Sequence, residues 1–191
     1  MNRRSDEAAE TLLEPLTEAQ RVRLVGAMDE VHRLLQLAGL RIERVDPGSA
    51  EARWCLRQYF DELDRRFEAG FDPAASRAAD DREMTPPRGV FLVASVDGDP
   101  VACGGVKTIA PRIGYLKRMW VADEVRGLGL GRRMLEALEA EARGLGHQTL
   151  RLETNRALPE ALRLYQGRGF LEVAPFNTDP YAHYWLEKAL G

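Results

Sequence analysis

Apolar residues along this chain recur with two periods, one helical and one of strict alternation, and the switches between them mark out its elements. Leu24, Met28, Val31 and Leu35 follow one another at helical spacing behind Thr17-Glu18-Ala19-Gln20, which has the spacing of a capping box, and Gly39 is a natural stop. This predicts a lone amphipathic helix over 17–37. Its stripe must pack on the rest of the chain or on a second copy of it. Leu40–Val45 alternates as a half-buried strand does, and Asp46-Pro47-Gly48-Ser49 turns the chain. Ser49 can cap a helix carrying Ala52, Leu56, Tyr59, Phe60, Leu63 and Phe67 on one face and ended by Gly70. Residues 71–89, with Pro73, Pro86, Pro87 and Gly89, read as a long loop that either faces a substrate or stays disordered.

Val90–Val96 is a continuous apolar run, expected of a strand covered on both faces. Asp97–Pro100 makes a hairpin turn into an antiparallel strand over Val101–Ile109, and Pro111-Arg112 turns again into Gly114–Val121. Leu130, Met134, Leu135, Leu138 and Leu145 form the inner face of a helix. Arg132 with Glu136, and Glu139 with Arg143, are placed on its solvent side. Thr149–Thr154 alternates as a strand, and the intervening helix requires it to run parallel to Gly114–Val121 through a right-handed crossover. A helical segment from Asn155 to Tyr165 ends at Gly167 and Gly169, and Phe170–Val173 and Tyr181–Leu186 close the fold as an antiparallel pair. The expectation is an α+β domain, a mixed and mostly antiparallel sheet between helices, over 40–191, with a helical appendage over 1–39.

The junction at Met119–Leu135 carries the chemistry. A strand ends at Val121, and Gly127, Gly129 and Gly131 alternate just before a helix starts. The first N–H groups of a helix lack partners and carry partial positive charge, and glycines let an anion approach that bare backbone. A phosphate loop of the Gly-Lys-Ser/Thr type is excluded, because Arg132 and Arg133 follow Gly131. A dinucleotide fingerprint is excluded too, because the glycines run G-x-G-x-G and no second mononucleotide half follows. A glycine-rich helix entry with no ligand is the plain alternative.

Composition narrows the function classes. The 191 residues, 45% hydrophobic and 30% charged, suit one domain plus an appendage, and a net charge of −3 shows no bias toward nucleic acid or an anionic membrane. No apolar run reaches the roughly 20 residues of a membrane span. Met1-Asn2-Arg3-Arg4-Ser5-Asp6-Glu7 leads into acidic residues, unlike a secretory signal. Cys55 and Cys103 form no motif and read as small core residues of a protein in a reducing cytoplasm.

Arg126-x-x-Gly129-x-Gly131 resembles the pyrophosphate loop of the GNAT family, the acyl-coenzyme A-dependent N-acyltransferases. Asn155 followed by Ala161-Leu162-Arg163-Leu164-Tyr165-Gln166-Gly167-Arg168-Gly169-Phe170 is similar to that family's second signature. The element order over roughly 40–190 also resembles the GNAT fold, which implies that the parallel pair splays. Lys117–Val121, Leu152–Leu158 and Pro175-Phe176-Asn177, with Tyr181-Ala182-His183, Trp185 and Glu187-Lys188, resemble the acetyltransferase half of MarR–GNAT fusion proteins. About 40 residues precede the domain, too few for a winged helix, so DNA binding is not carried over.

The resemblance implies transfer of acetyl from acetyl-CoA to the amine of an unidentified small-molecule acceptor, by direct attack and without a metal. The amides of Gly127, Gly129, Gly131 and Arg132, with Leu128 and Leu130 between them, would hold the pyrophosphate, and Arg126 would buttress the loop. Met119, Trp120 and Val121 would pair with the pantetheine arm, and the N–H near Met119 would polarise the thioester oxygen. Tyr165 is the implied general acid, or else a helix residue packed beside Phe170. Asn155 would contact the pantetheine or a water near the sulfur, or serve as a helix cap. Glu153, at the C-terminal end of its strand, is the candidate base, acting through a water; a salt bridge to Arg151 or Lys117 is the competing reading. Relatives commonly have a Glu where Tyr115 stands, and His183 is a further candidate base. The alternative function is a non-catalytic acyl-CoA-binding regulatory module, its helix 17–37 holding a partner or a second copy.

Overall fold

The computed structural model describes residues 14–36, 39–75 and 81–191. The opening stretch Met1–Glu7 and the middle of the predicted loop, 76–80, lie outside the described residues. The chain forms two compact units, residues 1–39 and 40–191. In the first, α1 spans Glu18–Gln36. Its capping box is reciprocal: Thr17 N–H donates to Gln20 Oε1 at 2.9 Å, and Gln20 N–H donates to Thr17 Oγ1 at 3.4 Å. Val22, Val25, Met28, Val31 and Leu35 on this helix are exposed.

The second unit runs β1 (Arg41–Arg44), α2 (Ala50–Arg66), β2 (Gly89–Val96), β3 (Asp99–Ala110), β4 (Ile113–Val121), α3 (Leu130–Gly144), β5 (Thr149–Thr154), α4 (Pro159–Gly167), β6 (Leu171–Glu172) and β7 (Tyr184–Ala189). The strands form one sheet in the order β1-β2-β3-β4-β5-β7-β6. Only β4 and β5 are parallel; every other neighbouring pair is antiparallel. Adjacent residues of β3 point to opposite faces of the sheet. Cys103, beside Cys55 of α2, looks one way, and Gly104 looks the other, where an added Cβ would lie 2.7 Å from Leu138 of α3. The two helices therefore cover opposite faces, and the core is a three-layer sandwich.

Local chemistry explains the elements. Ser49 Oγ accepts from Ala52 N–H and caps α2. Asp97 and Gly98 both take positive φ in the β2–β3 hairpin, as a two-residue turn of matching twist requires. Leu130, Met134, Leu135 and Leu138 are buried, as the helical spacing predicts, and β2 is buried along most of its length.

Several boundaries differ from the sequence expectation. The helix expected from Asn155 begins at Pro159: proline fits the first helical turn, and Asn155 Oδ1 instead accepts from Ala157 N–H in the preceding turn. Strand β7 begins at Tyr184 rather than Tyr181, because Asn177 and Asp179 each accept from the backbone N–H two residues on and curl the chain there. It also inserts between β5 and β6, and β6 is two residues long because Phe170 turns into the core. Helix α2 stops at Arg66, before Gly70. Part of the expected loop is ordered, since Asp81–Met84 forms a short 3-10 turn that buries Met84 completely.

Glu139 does not face solvent. It is 2% exposed, accepts from Lys188 Nζ at 2.6 Å, and has Arg168 and Arg143 guanidinium nitrogens at 3.7 and 3.8 Å. A buried carboxylate among three cations is tolerable; stripped of it, Lys188 would be left partly buried without its counter-charge, at a cost of about 3 kcal/mol, while Arg168 keeps Glu136 at 3.1 Å.

His147 gives the fold a pH dependence. The residue is buried, its Nε2 lies 3.2 Å from Thr108 Oγ1, and among the described residues its Nδ1 has no partner. Burial holds its pKa below the ordinary imidazole value. The unfolded chain therefore takes up a proton that the folded chain resists. Stability from this group is complete above about pH 6.5 and declines as the pH falls below it, by at most about 1.4 kcal/mol per pH unit. Denaturant melts between pH 8 and 5 are expected to show this decline, and His147→Gln to flatten it; an equal decline in the variant would assign the loss elsewhere.

Candidate active site

Strands β4 and β5 hydrogen-bond side by side at Ile113–Tyr115 and Thr149–Arg151 only. Beyond those positions they part, although β4 continues for six residues, through Val121, and β5 for three, through Thr154. The register between β3 and β4 shifts over the same stretch: Cys103 faces Trp120, Gly105 faces Lys117, and Arg118 takes a positive φ of 57°. A bulge of this kind bends the strand that carries it. The result is a cleft bounded by β4 on one side and α4 on the other.

Its floor ends at the glycine loop. Gly129 caps α3 with φ 79° and Gly127 has φ 78°, both in the left-handed region, and an added Cβ at either would meet nothing within 4 Å. Side chains therefore do not block the start of α3, where the helix presents its unpartnered amides. Trp120, Val121, Arg126, Gly131, Arg132 and Tyr165 line the same cleft, whose cavity volume is about 340 Å³.

The loop is tied to α2. Arg126 donates from Nε to Val121 O at 2.9 Å and from Nη2 to Glu62 at 2.5 Å, and it pairs with Asp123 at 2.5 Å. Glu62 also accepts from Trp120 Nε1 and from Arg66 Nη1, each at 3.0 Å. Arg66 continues to Glu160 and to Ala157 O, at the start of α4. Burial works to raise the Glu62 pKa, but the Arg126 and Arg66 guanidiniums outweigh it and hold the group below the usual carboxylate range.

A second, smaller cavity of about 100 Å³ adjoins the first. Tyr59, Leu63, Met119, Leu158, Ala161 and Tyr165 line both. Tyr165 is buried, with its ring edge-on to Phe170 at 5.8 Å. Burial first, and then the charge of Glu153, raise the pKa of its phenol. Tyr59 is raised by burial and by Tyr165, so both groups stay protonated and able to donate. Glu153 is held by Lys117 Nζ on one oxygen and by the Tyr115 hydroxyl on the other, with Asn177 Nδ2 at 3.5 Å. Asn177 Nδ2 also donates to the Tyr115 oxygen at 2.8 Å, and Asn177 Oδ1 accepts from Trp185 Nε1 at 2.8 Å.

A family model described as "Acetyltransferase (GNAT) family" matches residues 56–170. The chain belongs to the GNAT acetyltransferase family. An IAA acetyltransferase of Azospirillum brasilense is 36% identical over 138 residues, which cover 70% of this chain and 89% of that one. A Klebsiella pneumoniae structure assigned as an acyl-CoA N-acyltransferase superposes with TM-score 0.62 at 27% identity, over 80% of this chain and 98% of that one. A Salmonella typhimurium structure solved with its cofactor acetyl-CoA shares the fold, with TM-score 0.60 at 16% identity over 80% and 94% of the two chains. This GNAT chain is an N-acetyltransferase whose acetyl donor is acetyl-CoA.

The GNAT fold brings Met119, Trp120, Val121, Arg126, Gly127, Gly129, Gly131, Arg132 and Tyr165 to one cleft. Leu130 is buried beneath it, while Leu128 is a partly buried residue packed on the core. Glu153 and Asn155 line the smaller cavity. Asn155 is engaged at both ends, by Ala157 N–H and by Tyr181 O, which its Nδ2 reaches at 2.7 Å. Glu153 pairs with Lys117, and Arg151 pairs instead with Glu187. His183 is exposed and lines neither cavity. Among the described residues no group of three or more His, Cys, Asp or Glu could hold a metal ion. Sequence reasoning passed over Glu62, whose position on the face of α2 opposite the solvent was its one visible signal. It also read Tyr59 as an apolar stripe residue.

Glu62→Gln keeps the shape of the clamp and removes its charge. Losing a charge-assisted bond is worth about 1.5 kcal/mol, and the partial exposure of Arg126 keeps the effect near that lower figure. The amides of Val125 and Arg126, bonded to Ala122 O and Asp123 O, should then exchange hydrogen about tenfold faster while those of α3 hold their rates. Unaltered exchange at these two amides would show that the loop does not depend on the clamp.

Proposed function

We propose that the large cleft is the acetyl-CoA site and the small cavity the amine site of this N-acetyltransferase, with transfer at their junction. The observation that carries this is the coincidence of three features: the parted β4–β5 pair, the open glycine loop at its end, and Tyr165 shared by both cavities. The fit is specific, because Gly127 and Gly129 leave space where any side chain would stand. The amides of residues 127–132 would hold the pyrophosphate, with Arg126 and Glu62 keeping the loop in place. The exposed edge of β4 at Met119–Val121 would hold the pantetheine arm as an added strand. Bound there, acetyl-CoA supplies the acetyl group as a thioester.

Tyr165 Oη donates a proton toward the sulfur as the thiolate leaves. A thiol of ordinary pKa near 8.5 is a fair leaving group, so this donation is worth about ten- to a thousandfold. Asn155 positions the Tyr181 segment of the amine site through its bond to Tyr181 O. For Glu153 the pairing with Lys117, one of the two readings open in the sequence, is favoured over the base. Both its oxygens already accept hydrogen bonds, so it acts as the fixed negative charge that holds Lys117 and Tyr115 and favours approach of a cationic amine. The acceptor loses its own proton to water before attack.

Two finer proposals concern the whole chain. Cys55 and Cys103 are both buried and unpaired with each other, which suits a reducing cytoplasm. No described helix is long and apolar enough to cross a membrane. The exposed apolar residues of α1 support a homodimer through that helix.

Purified chain mixed with acetyl-CoA and an amine panel should release free thiol; binding without turnover on any amine would favour the regulatory-module reading. Tyr165→Phe should lower kcat about ten- to a hundredfold with little change in KM for acetyl-CoA, and an unchanged kcat removes the acid role. Glu153→Gln should lower kcat/KM at every pH and keep the acidic limb of the profile; loss of that limb would restore Glu153 as the base. Light scattering should give twice the chain mass of 21.4 kDa, reverting to one chain in Val25→Asp/Met28→Asp, and a wild-type mass of one chain ends the dimer proposal.

A further inference from the structure

We infer that the acceptor is a small monoamine whose body is an aromatic or flat apolar ring. This rests on the amine-site reading above and goes beyond it by naming the substrate class.

Size comes first. The amine cavity is about 100 Å³, of the order of a cavity that takes up a single benzene ring. A ring alone fills it, its short arm reaching the wall shared with the larger cleft, and a peptide side chain with its backbone or an oligosaccharide exceeds it.

The walls come second. Tyr59, Phe60, Phe67, Phe71, Tyr165 and Tyr181 line this one cavity, arriving from α2, from the segment after it, from α4 and from the turn before β7. Four of them already form a packed set. Phe60 and Phe71 stack at 5.9 Å with ring planes 14° apart, Phe71 meets Tyr181 at 4.8 Å, and Phe67 touches Phe71 and Tyr181 at 5.8 and 5.6 Å. The turn is pinned as well, because Asp72 N–H donates to the Tyr181 hydroxyl at 2.9 Å. A preassembled aromatic wall costs little to order when a ring joins it, and ring-on-ring contact adds to area burial.

Charge comes third. Among the described residues, the ionisable side chains lining the cavity are Lys117, Arg118, Glu153 and Asp179, two of each sign. Lys117 and Glu153 are directly paired, and the Arg118 guanidinium sits 5.6 Å from the Phe60 ring centre. A polyamine needs an excess of acids and a phosphorylated amine an excess of bases, and this lining offers neither. A single ammonium meets aromatic faces and one fixed carboxylate pair, which a monoamine needs and no more. The ring lies against Phe67, Phe71 and Tyr181 while the short arm carries the amine to Tyr59 and Tyr165. There the ammonium sheds one proton to water, the new N–C bond forms as the C–S bond breaks, the sulfur takes the Tyr165 proton, and the second proton released from the nitrogen returns through water to Tyr165.

The test is a steady-state comparison of 2-phenylethylamine, n-propylamine, spermidine and glucosamine by thiol release, with acetyl-CoA binding measured separately by calorimetry. The ring amine is expected to show the highest kcat/KM, at least tenfold above spermidine and glucosamine. Phe71→Leu, which keeps the apolar bulk and loses the ring, should lower kcat/KM for 2-phenylethylamine about tenfold while acetyl-CoA affinity changes less than twofold. Phe67→Leu is the second variant, and both should melt within a few degrees of the parent. Preference for spermidine or glucosamine, or equal kcat/KM for the ring amine in both variants, overturns the inference. Acetyl-CoA binding with no acetylation of any ring amine also overturns it and leaves the cofactor site standing; no acetyl-CoA binding overturns both.

Discussion

The whole arrangement depends on two parallel strands that stop bonding to each other partway along. Backbone N–H and C=O groups are costly to leave unpaired, and a sheet normally closes such a gap. Here β4 and β5 are joined at their beginnings, and β4 stays paired with β3 on either side of its bulge, so the sheet holds together while its middle opens. The wedge is set by covalent geometry and packing on both sides: a bulge at Arg118 turns β4 one way, and β7 draws β5 the other through six antiparallel pairs. An edge of this kind can accept an extended ligand as though it were a strand. The glycine loop then stands at the end of the opening because β4 leads directly into it.

Polar clamps hold the pieces that the sheet does not. Glu62 gathers Trp120, Arg126 and Arg66 and so connects α2, the loop and the start of α4. On the opposite side of the sheet Glu139 gathers Lys188, Arg168 and Arg143 around the middle of α3. Both are carboxylates with little exposure that join a cation one helical turn away to cations from distant parts of the sequence. Such clusters add less stability than their charge suggests, because each ion gives up its water. What they supply is a definite position for each element.

Most of the scaffold was legible in the sequence for a simple reason: strands and helices with one buried face write their period into it. The strand Thr149–Thr154 and the helix capped by Ser49 follow directly from alternation and capping chemistry. The glycine spacing at 127–131 was equally plain, since few residues tolerate the left-handed backbone found at two of those positions. What escaped was decided by contacts distant in sequence. Glu139 sits at helical spacing from Arg143 and looks like a solvent pair until β7 brings Lys188 against it. The start of β7 was displaced by two side-chain turns at Asn177 and Asp179, which no periodicity announces. For Glu153 the sequence offered the salt bridge to Lys117 beside the base, but its other partners, Tyr115 and Asn177, lie 38 and 24 residues away and converge on it only in the fold.

Helix α2 has a consequence for energetics as well as shape. Tyr59 and Leu63 on this one helix border both cavities, and its Glu62 holds the loop at the far end of the larger one. Any tightening of the helix by an occupant of one cavity is therefore felt in the other. Thermodynamic linkage makes that influence symmetrical: the factor by which the first occupant alters affinity for the second equals the factor acting in reverse. A mutation of α2 at a position that lines neither cavity, if it weakens this coupling, would separate the two affinities without removing a single direct contact to either occupant.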